Sequence, residues 1–279
     1  MIQPENPPHS SPRPVIVVLG SGRSGTSLLM QVLAALGMRV SDEMIEARRD
    51  NPRGFYEDAR IVRIQADLLR QLRAWPYHPL PADWLDVSAT ASAARALQDV
   101  LRDRLDRGQG AWGFKDPRTA SFLPLWRRLL AAENTMPRYV LALREPGSII
   151  RSFSEAYATD GETAERVWLR RSCDALWHTR ADCYIVHYED WFERARELVE
   201  DLARFTGLGE VGAAVPLETL VRPDLNRSGG AGHVLRDPHA RALHVALESC
   251  RGNAFDRERL LRTVDICRRH MDEHSVPAR

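Results

Sequence analysis

A glycine-rich segment near the start of the chain has the composition of an anion-binding loop. It reads Gly20-Ser-Gly-Arg-Ser-Gly-Thr-Ser27 and lies between the apolar run Pro14–Leu19 and an apolar helical pattern. Glycines let a backbone turn sharply, and the free amides of a helix N-terminus attract negative charge. We expect a phosphate-like group here; the alternative is a turn without a ligand. The residues expected to hold the anion are Gly22, Arg23, Ser24, Gly25, Thr26 and Ser27.

The spacing of this loop resembles the GxxxxGK[ST] pattern of nucleoside triphosphatases, with one important departure. Thr26 stands where that pattern has the lysine that reaches the β- and γ-phosphates, and Arg23 offers a cation inside the loop instead. The nearest candidate for a Mg²⁺-binding acid at a strand end is Glu189-Asp190, and it is a weak one. ATP chemistry is therefore disfavoured. A small-molecule kinase with an altered loop remains the rival enzyme, and a nucleotide-binding module without catalysis is the third reading.

A second candidate anion site follows the apolar run Arg138–Leu143. Arg144 stands at the end of this predicted strand, Pro146 opens the next helix, and Ser152 lies eight residues after the arginine. On this helix Ser152 is expected to face back towards Arg144, whose planar guanidinium suits phosphate oxygens. Arg144 and Ser152 are assigned to the ligand, whereas Arg151 is interpreted as a solvated surface charge. Two such sites fit an adenosine 3′,5′-bisphosphate better than ATP.

Two further segments carry residues able to move a proton or neutralise developing charge. Glu57 precedes a predicted helix and is a candidate general base, although an acid there also stabilises a helix N-terminus. Lys115 ends a predicted strand and is the only lysine among 39 basic Lys and Arg residues, which indicates a need for a compact charge. Asp116 either orients Lys115 or is itself the base. Arg118 is a candidate contact for an anionic acceptor.

The histidines and cysteines give weaker signals. His78 and His233 lie in predicted loops and are reserve candidates for the base, whereas His187 lies on a predicted strand and is expected to be structural. The four cysteines form no CxxC pair and show no regular spacing with histidines, so neither a zinc site nor a disulfide framework is expected.

The elements that would position these residues alternate between strands and helices. Apolar runs predict strands over 14–19, 111–115, 138–143 and 183–187. Helical patterns are predicted over 26–37, 58–73, 91–106, 121–132, from Pro146, and over 161–179, 191–205, 237–250 and 256–271. This order predicts a three-layer α/β fold, P-loop-like, with a mainly parallel central sheet and helices on both faces. Residues 1–13 are expected to be a disordered tail, 14–272 one domain, and 206–236 an extended loop able to fold over a ligand.

Composition limits the function classes. A net charge of +1 over 279 residues argues against a nucleic-acid binder, and no apolar run reaches the roughly 20 residues of a membrane helix. The start of the chain lacks the apolar core of a secretion signal, so a cytoplasmic enzyme is expected. The oligomeric state cannot be read from the sequence.

Several of these segments resemble one enzyme family. The stretch VIVVLGSGRSGTSLL resembles the 5′-phosphosulfate loop of sulfotransferases that use 3′-phosphoadenosine 5′-phosphosulfate (PAPS), particularly their bacterial and carbohydrate-modifying branch. The Arg144 to Ser152 stretch is similar to the family's 3′-phosphate element, and Tyr188-Glu-Asp190 to a stretch that recurs in bacterial members. Arg222–Ser228 resembles a late loop that brings a further basic residue, here Arg227, to the cofactor.

This resemblance implies a chemistry. It implies PAPS as co-substrate, no metal, and a small-molecule or glycan acceptor with a hydroxyl or amine, such as a carbohydrate, a glycolipid or a secondary metabolite. The catalytic residues would come from Glu57, Lys115 and Asp116, since a base and a cation are needed for an in-line displacement. Many relatives carry a lysine in the first loop where this chain has Arg23, which leaves open which cation steadies the leaving group.

Overall fold

The computed structural model describes residues 11–47, 54–209, 215–221 and 233–273. Four parallel strands form one sheet in the order β2-β1-β3-β4. Their bounds are Arg13–Leu19 for β1, Trp112–Lys115 for β2, Thr135–Leu143 for β3 and Tyr184–His187 for β4. Because the strands are parallel, their carboxyl ends and the segments that follow them meet at one edge.

Eleven helices surround this sheet among the described residues. They are α1 (Thr26–Ala35), α2 (Ala59–Gln71), α3 (Ser88–Asp106), α4 (Thr119–Ala132), α5 (Pro146–Tyr157), α6 (Gly161–Thr179), α7 (Asp190–Glu193), α8 (Ala195–Thr206), α9 (Leu217–Leu220), α10 (Pro238–Glu248) and α11 (Arg257–Glu273). No helix in the described ranges has both the length and the apolar composition needed to span a bilayer.

The alternation of side chains along β1 explains why helices cover both faces. Val15 and Val17 belong to one core cluster, which includes residues of α2 to α6, whereas Ile16 and Val18 belong to a second cluster with residues of α1 and α8. All four side chains are at most 1% exposed. Burying each of them stabilises the fold by about 1.5–3 kcal/mol. The predicted three-layer α/β class with a parallel sheet is thereby confirmed.

Several element bounds differ from the sequence prediction; β3, for example, begins at Thr135 rather than at 138. β1 starts at Arg13, one residue inside the predicted tail, because Arg13 pairs with Thr135 as β3 extends in the same direction. The helix predicted over 191–205 is divided into α7 and α8 at Arg194, whose φ of −143° is not helical. The predicted loop 206–236 contains the short helix α9. Residues 1–10 and most of that loop, including 222–232, lie outside the described residues.

Candidate active site

The loop after β1 takes a backbone conformation that requires glycine at one position. Gly25 has a φ of 87° and precedes α1 without a side-chain cap, so the amides of the first helical turn have no side-chain acceptor at that position. A Cβ placed on Gly25 would lie 2.5 Å from Cδ2 of Tyr188, the residue after β4. The loop therefore rests directly on the Tyr188 ring. Arg23 also has a positive φ, of 76°.

Two serine hydroxyls near this loop donate hydrogen bonds to backbone carbonyls, and a third has no hydrogen-bond partner among the described residues. Ser24 Oγ donates to the carbonyl of Ser21 at 2.7 Å, and Ser27 Oγ donates to the carbonyl of Phe55 at 3.0 Å. Ser21 is 3% exposed, and its own Oγ is buried without a hydrogen-bond partner among the described residues. Such orphaned hydroxyls are rare in folded proteins and suit a site that receives a polar ligand. Sequence reasoning did not select Ser21.

The two predicted anion sites lie in contact. Arg23 Nε donates to Ser152 Oγ on α5 at 3.0 Å, and Arg144 Nη1 donates to the carbonyl of Arg23 at 3.3 Å. The Arg144 guanidinium also lies 4.6 Å from the centre of the Tyr188 ring. Burial lowers the pKa of Arg144, and the positive charge of Arg23 lowers it further. Two cations held this close favour an anionic ligand between them.

Ser152 has a contact that was not predicted. Its hydroxyl accepts a hydrogen bond from Arg23 Nε, and Arg23 has a left-handed backbone. The structure therefore brings Arg23, Arg144 and Ser152 together, and the expected phosphate clamp of Arg144 and Ser152 stays a prediction.

A second charged group lies at the end of β2. Lys115 Nζ is 2.8 Å from Glu57 Oε1, and Arg118 Nη2 is 3.8 Å from Glu57 Oε2. Lys115 and Glu57 are both buried. The role of stabilising the N-terminus of α2 belongs to Asp58, whose carboxylate accepts hydrogen bonds from the amides of Arg60 and Ile61. Glu57 is therefore not needed to cap α2 and is available for another role.

Asp116 lies beside this pair but has other partners. Its carboxylate accepts hydrogen bonds from Gln65 Nε2 at 2.7 Å and from Arg118 Nε at 2.7 Å, and also from the Arg118 amide. Gln65 is fully buried, and its own oxygen accepts a hydrogen bond from Trp126 Nε1. Asp116 thus orients Arg118, whereas the contact shown for Lys115 is with Glu57. Gln65 carries no signal in the sequence, because it lies on the buried side of an ordinary amphipathic helix.

Arg171 on α6 completes the group and was not selected from the sequence. A Cβ placed on Gly22 would lie 3.7 Å from Arg171 Nη1, so this guanidinium borders the loop after β1. Burial lowers its pKa, and the positive charge of Arg118 lowers it further, while Asp116 acts in the opposite direction. A basic residue within a helical pattern usually indicates a solvated face, which is why its position was not predictable.

The remaining sequence candidates are distributed over other parts of the fold. His187 Nε2 lies 2.8 Å from the carbonyl of Cys250, which is a structural contact. His233 Nε2 lies 2.9 Å from a carboxylate oxygen of Glu165. His78 lines cavities beside α2 and α4. Arg227 lies outside the described residues.

The acids considered for Mg²⁺ are engaged in protein contacts. Asp190 is buried and accepts a hydrogen bond from Arg251 Nε at 3.2 Å. Glu189 accepts a hydrogen bond from the amide of Glu145 at 3.1 Å. Both carboxylates therefore have roles in the region around β4 that require no metal.

A separate cluster of potential metal ligands lies on the last two helices. Asp237, His239 and His270 place one ligand atom each within 4.8 Å of the others. Asp237 also caps α10 through the amide of His239, and the two imidazole rings stack with 3.8 Å between their centres. These contacts describe a polar link between α10 and α11, and the sequence expectation of a metal-free protein remains a prediction.

Comparison with known families decides the class of protein. The family described as "Sulfotransferase family" matches residues 14–210, which is more than half of the chain and includes all four strands except the first residue of β1. The chain belongs to the sulfotransferase family. The match covers the loop after β1, the Glu57 and Lys115 pair and the segment from Arg144 to Ser152. A search of curated proteins gave no match for this sulfotransferase.

Solved structures resemble the sulfotransferase over nearly its whole length. The sulfotransferase domain from the Synechococcus PCC 7002 olefin synthase is 19% identical, with 98% of this chain and 92% of that chain covered and a TM-score of 0.49. The sulfotransferase domain from the curacin biosynthetic pathway is 15% identical, with 97% and 94% covered and a TM-score of 0.47. At these identities and scores the likeness adds nothing about the acceptor.

Proposed function

We propose that this sulfotransferase takes the sulfuryl group of PAPS and transfers it to a hydroxyl or amine of a small-molecule or glycan acceptor. The observation that carries the proposal is the contact between Arg23 and Arg144, which come from the segments after β1 and β3. Two adjacent cations at the carboxyl edge of a parallel sheet suit a ligand with two separate anionic groups. PAPS is such a ligand.

The donor site divides into two parts. The amides at the start of α1, with Arg23 and the loop from Gly22 to Ser27, would hold the 5′-phosphosulfate in a P-loop-like manner. Arg144 and Ser152 would hold the 3′-phosphate, and Arg227 remains a proposed further contact. The hydroxyl of Ser21, which has no hydrogen-bond partner among the residues that the structure describes, and the close fit of Gly25 against Tyr188 support a compact anionic ligand.

The chemistry is a single in-line displacement. The acceptor oxygen forms a bond to sulfur while the bond from sulfur to the bridging phosphate oxygen breaks, which releases adenosine 3′,5′-bisphosphate with the electron pair of that bond. Glu57 accepts the proton that leaves the acceptor hydroxyl, and its Oε2 is suited to this because the close Lys115 contact is made by Oε1. Lys115 steadies the charge that develops on the transferred sulfate or the leaving oxygen.

Asp116 is better suited to positioning than to proton transfer. It is 1% exposed, and both of its oxygens already accept hydrogen bonds from Gln65 or Arg118. A base needs a free lone pair directed at the acceptor, so we assign this role to Glu57. Asp116 holds the Arg118 guanidinium in place.

A transfer assay tests the proposed function. Purified protein is incubated with PAPS labelled in the sulfate and with an extract of its own organism, in EDTA and separately with added Mg²⁺. We expect label on an acceptor in both conditions, whereas a kinase would require ATP with Mg²⁺. A non-catalytic module would bind adenosine 3′,5′-bisphosphate without transferring label. The acceptor's identity and the cytoplasmic location remain predictions.

A further inference from the structure

Arg171 is a half-buried cation without a close polar partner in the described part of the chain. Its guanidinium lies 5.8 Å from the centre of the Phe153 ring, and no hydrogen bond or ion pair to it is formed by a described residue. Burial lowers the pKa of Arg171. Its side chain is half-buried beside the active site, and a guanidinium in such a place is available to a ligand of opposite charge.

The charges around Arg171 do not balance. Glu57 and Asp116 are the carboxylates of this cluster, and their close partners are Lys115 and Arg118. Arg171 adds a third cation, so the cluster has an excess of one positive charge. After burial, the positive charge of Arg118 lowers the pKa of Arg171 further, whereas the contacts of Arg118 with Asp116 and Glu57 raise its own pKa above the usual value despite burial.

The same two arginines line a small cavity that leads towards a much larger one. Arg118, Arg171 and Tyr77 border a space of about 40 Å³. Leu69, His78, Ser121 and Arg170 belong both to its walls and to those of a neighbouring cavity of about 860 Å³. The larger cavity has room for a drug-sized molecule. Its apolar wall is formed by Leu69, Leu72, Leu80, Trp84 and Met271.

We propose that the acceptor is an anionic, partly apolar molecule, with a carboxylate or phosphate bound by Arg171 and an apolar part lying in the 860 Å³ cavity. This inference rests on the proposed sulfuryl transfer and adds the substrate class. An acceptor anion would neutralise the excess charge beside Glu57 and would hold the acceptor hydroxyl close to the proposed base. The bidentate geometry of arginine suits a carboxylate or a phosphate in this position.

The anion at Arg171 is assigned to the acceptor rather than to the donor for a spatial reason. The donor has its own arginines, Arg23 and Arg144, which contact each other and the serine on α5. Arg171 borders Gly22 of the loop after β1 and the Phe153 ring, and on the cavity side it lies with Arg118 and with residues of α2 and α4. It therefore lies where the donor loop meets the larger cavity.

Calorimetry with two matched probes tests the proposal. The protein is saturated with adenosine 3′,5′-bisphosphate and titrated with 3-hydroxydecanoate or with its uncharged methyl ester, so that the probes share chain and hydroxyl. We expect the wild-type protein to bind the acid at least about tenfold more tightly than the ester. Arg171→Ala should remove this preference, and Arg171→Lys should restore part of it because it retains the charge.

The control and the contradicting results separate this proposal from the proposed function. Arg166→Ala changes an exposed arginine on the same helix, paired with Glu162, and should leave the preference intact. If the wild-type protein shows no preference, including no binding of either probe, or if the preference survives in Arg171→Ala, the proposal is wrong. A larger loss of bisphosphate affinity than of acid affinity in Arg171→Ala would assign this residue to the donor. Failure of the wild-type protein to bind the bisphosphate would instead contradict the proposed function.

Discussion

Arg23 Nε donates a hydrogen bond to Ser152 Oγ at 3.0 Å, which joins the loop after β1 to α5. Arg144 adds a hydrogen bond to the Arg23 carbonyl, so the two proposed halves of the donor site form one connected unit. Both arginines carry positive charge in a confined space, and this repulsion is relieved when an anion binds. Donor binding is therefore expected to stabilise the protein as well as to position the sulfate.

The first prediction concerns Arg144. Changing Arg144→Ala removes a charged hydrogen-bond donor to phosphate, and we expect adenosine 3′,5′-bisphosphate to bind at least about tenfold more weakly, a loss of about 1.5–3 kcal/mol. The burial that lowers the pKa of Arg144 opposes the hydrogen bond that it donates to the Arg23 carbonyl, so the protein without ligand should change in stability by no more than about 1.5 kcal/mol. Calorimetry measures the affinity, and urea denaturation measures the stability.

The control for Arg144 is Arg166→Ala, because Arg166 is an exposed arginine that pairs with Glu162. This variant should bind the bisphosphate as the wild-type protein does. Equal affinities for Arg144→Ala and the wild type would show that Arg144 does not contact the 3′-phosphate.

The second prediction uses two glycines with positive φ. Alanine is strained by about 1–2 kcal/mol at both Gly25 and Gly37, but only at Gly25 would its Cβ meet another residue, 2.5 Å from the Tyr188 ring. Gly25→Ala should therefore displace the loop and weaken bisphosphate binding strongly. Gly37→Ala, whose Cβ lies in open space, should reduce thermal stability without a change in affinity. Similar affinities in the two variants would contradict this role of the loop.

The third prediction concerns Glu57. Glu57→Gln keeps the shape of the side chain and an acceptor for Lys115 Nζ but removes the proton acceptor, so kcat should fall by about 10²–10⁴-fold. Bisphosphate affinity should stay within about twofold, because Glu57 is not assigned to the donor. Glu162→Gln is the matched control, an exposed acid changed in the same way. A kcat close to the wild-type value would exclude Glu57 as the base.

The fourth prediction concerns stability at acid pH. Burial lowers the pKa of His178 from 6.5 to about 4, and Arg268 and Arg127 act in the same direction. Between these two pH values the His178 imidazole is protonated in the unfolded chain but neutral in the folded chain. The free energy of unfolding therefore falls as the pH is lowered from 6.5 towards 4. At pH 5 this amounts to about 2 kcal/mol. The lowered pKa of His187 adds a loss in the same direction.

Urea denaturation at pH 7 and pH 5 measures this effect. His178→Gln should lose less stability than the wild type between the two pH values, because it removes the group that titrates only on unfolding. Identical losses in the two proteins would show that His178 is not desolvated in the native state.

The sheet and its loops were predictable from the sequence because the signals are local. The apolar run before Gly20 is long enough for a strand, and the glycines that follow it are typical of a tight turn that binds an anion. Lys115 and Arg144 were found by one rule, since Lys115 is the last residue of β2 and Arg144 directly follows β3 in a parallel sheet. The roles assigned to them remain predictions.

Pairings between distant residues were not predictable. Glu57 and Asp58 are adjacent acids at one helix start, and only the fold shows that Asp58 caps α2 while Glu57 reaches Lys115. Arg171 resembles any arginine on an amphipathic helix, and its desolvation depends on Phe153 and on the loop after β1. Tyr188 is placed by the same rule as Arg144: it directly follows β4, as Arg144 follows β3, and so lies at the ligand-binding edge of the sheet.

The affinities of the wild-type protein for two nucleotides, measured separately, test the central claim most directly. Calorimetric titrations compare adenosine 3′,5′-bisphosphate alone with ATP in the presence of Mg²⁺. The account predicts that the bisphosphate binds at least about a hundredfold more tightly, since two separate anion sites and no triphosphate lysine are proposed. Tighter binding of ATP with Mg²⁺, together with no measurable affinity for the bisphosphate, would contradict it.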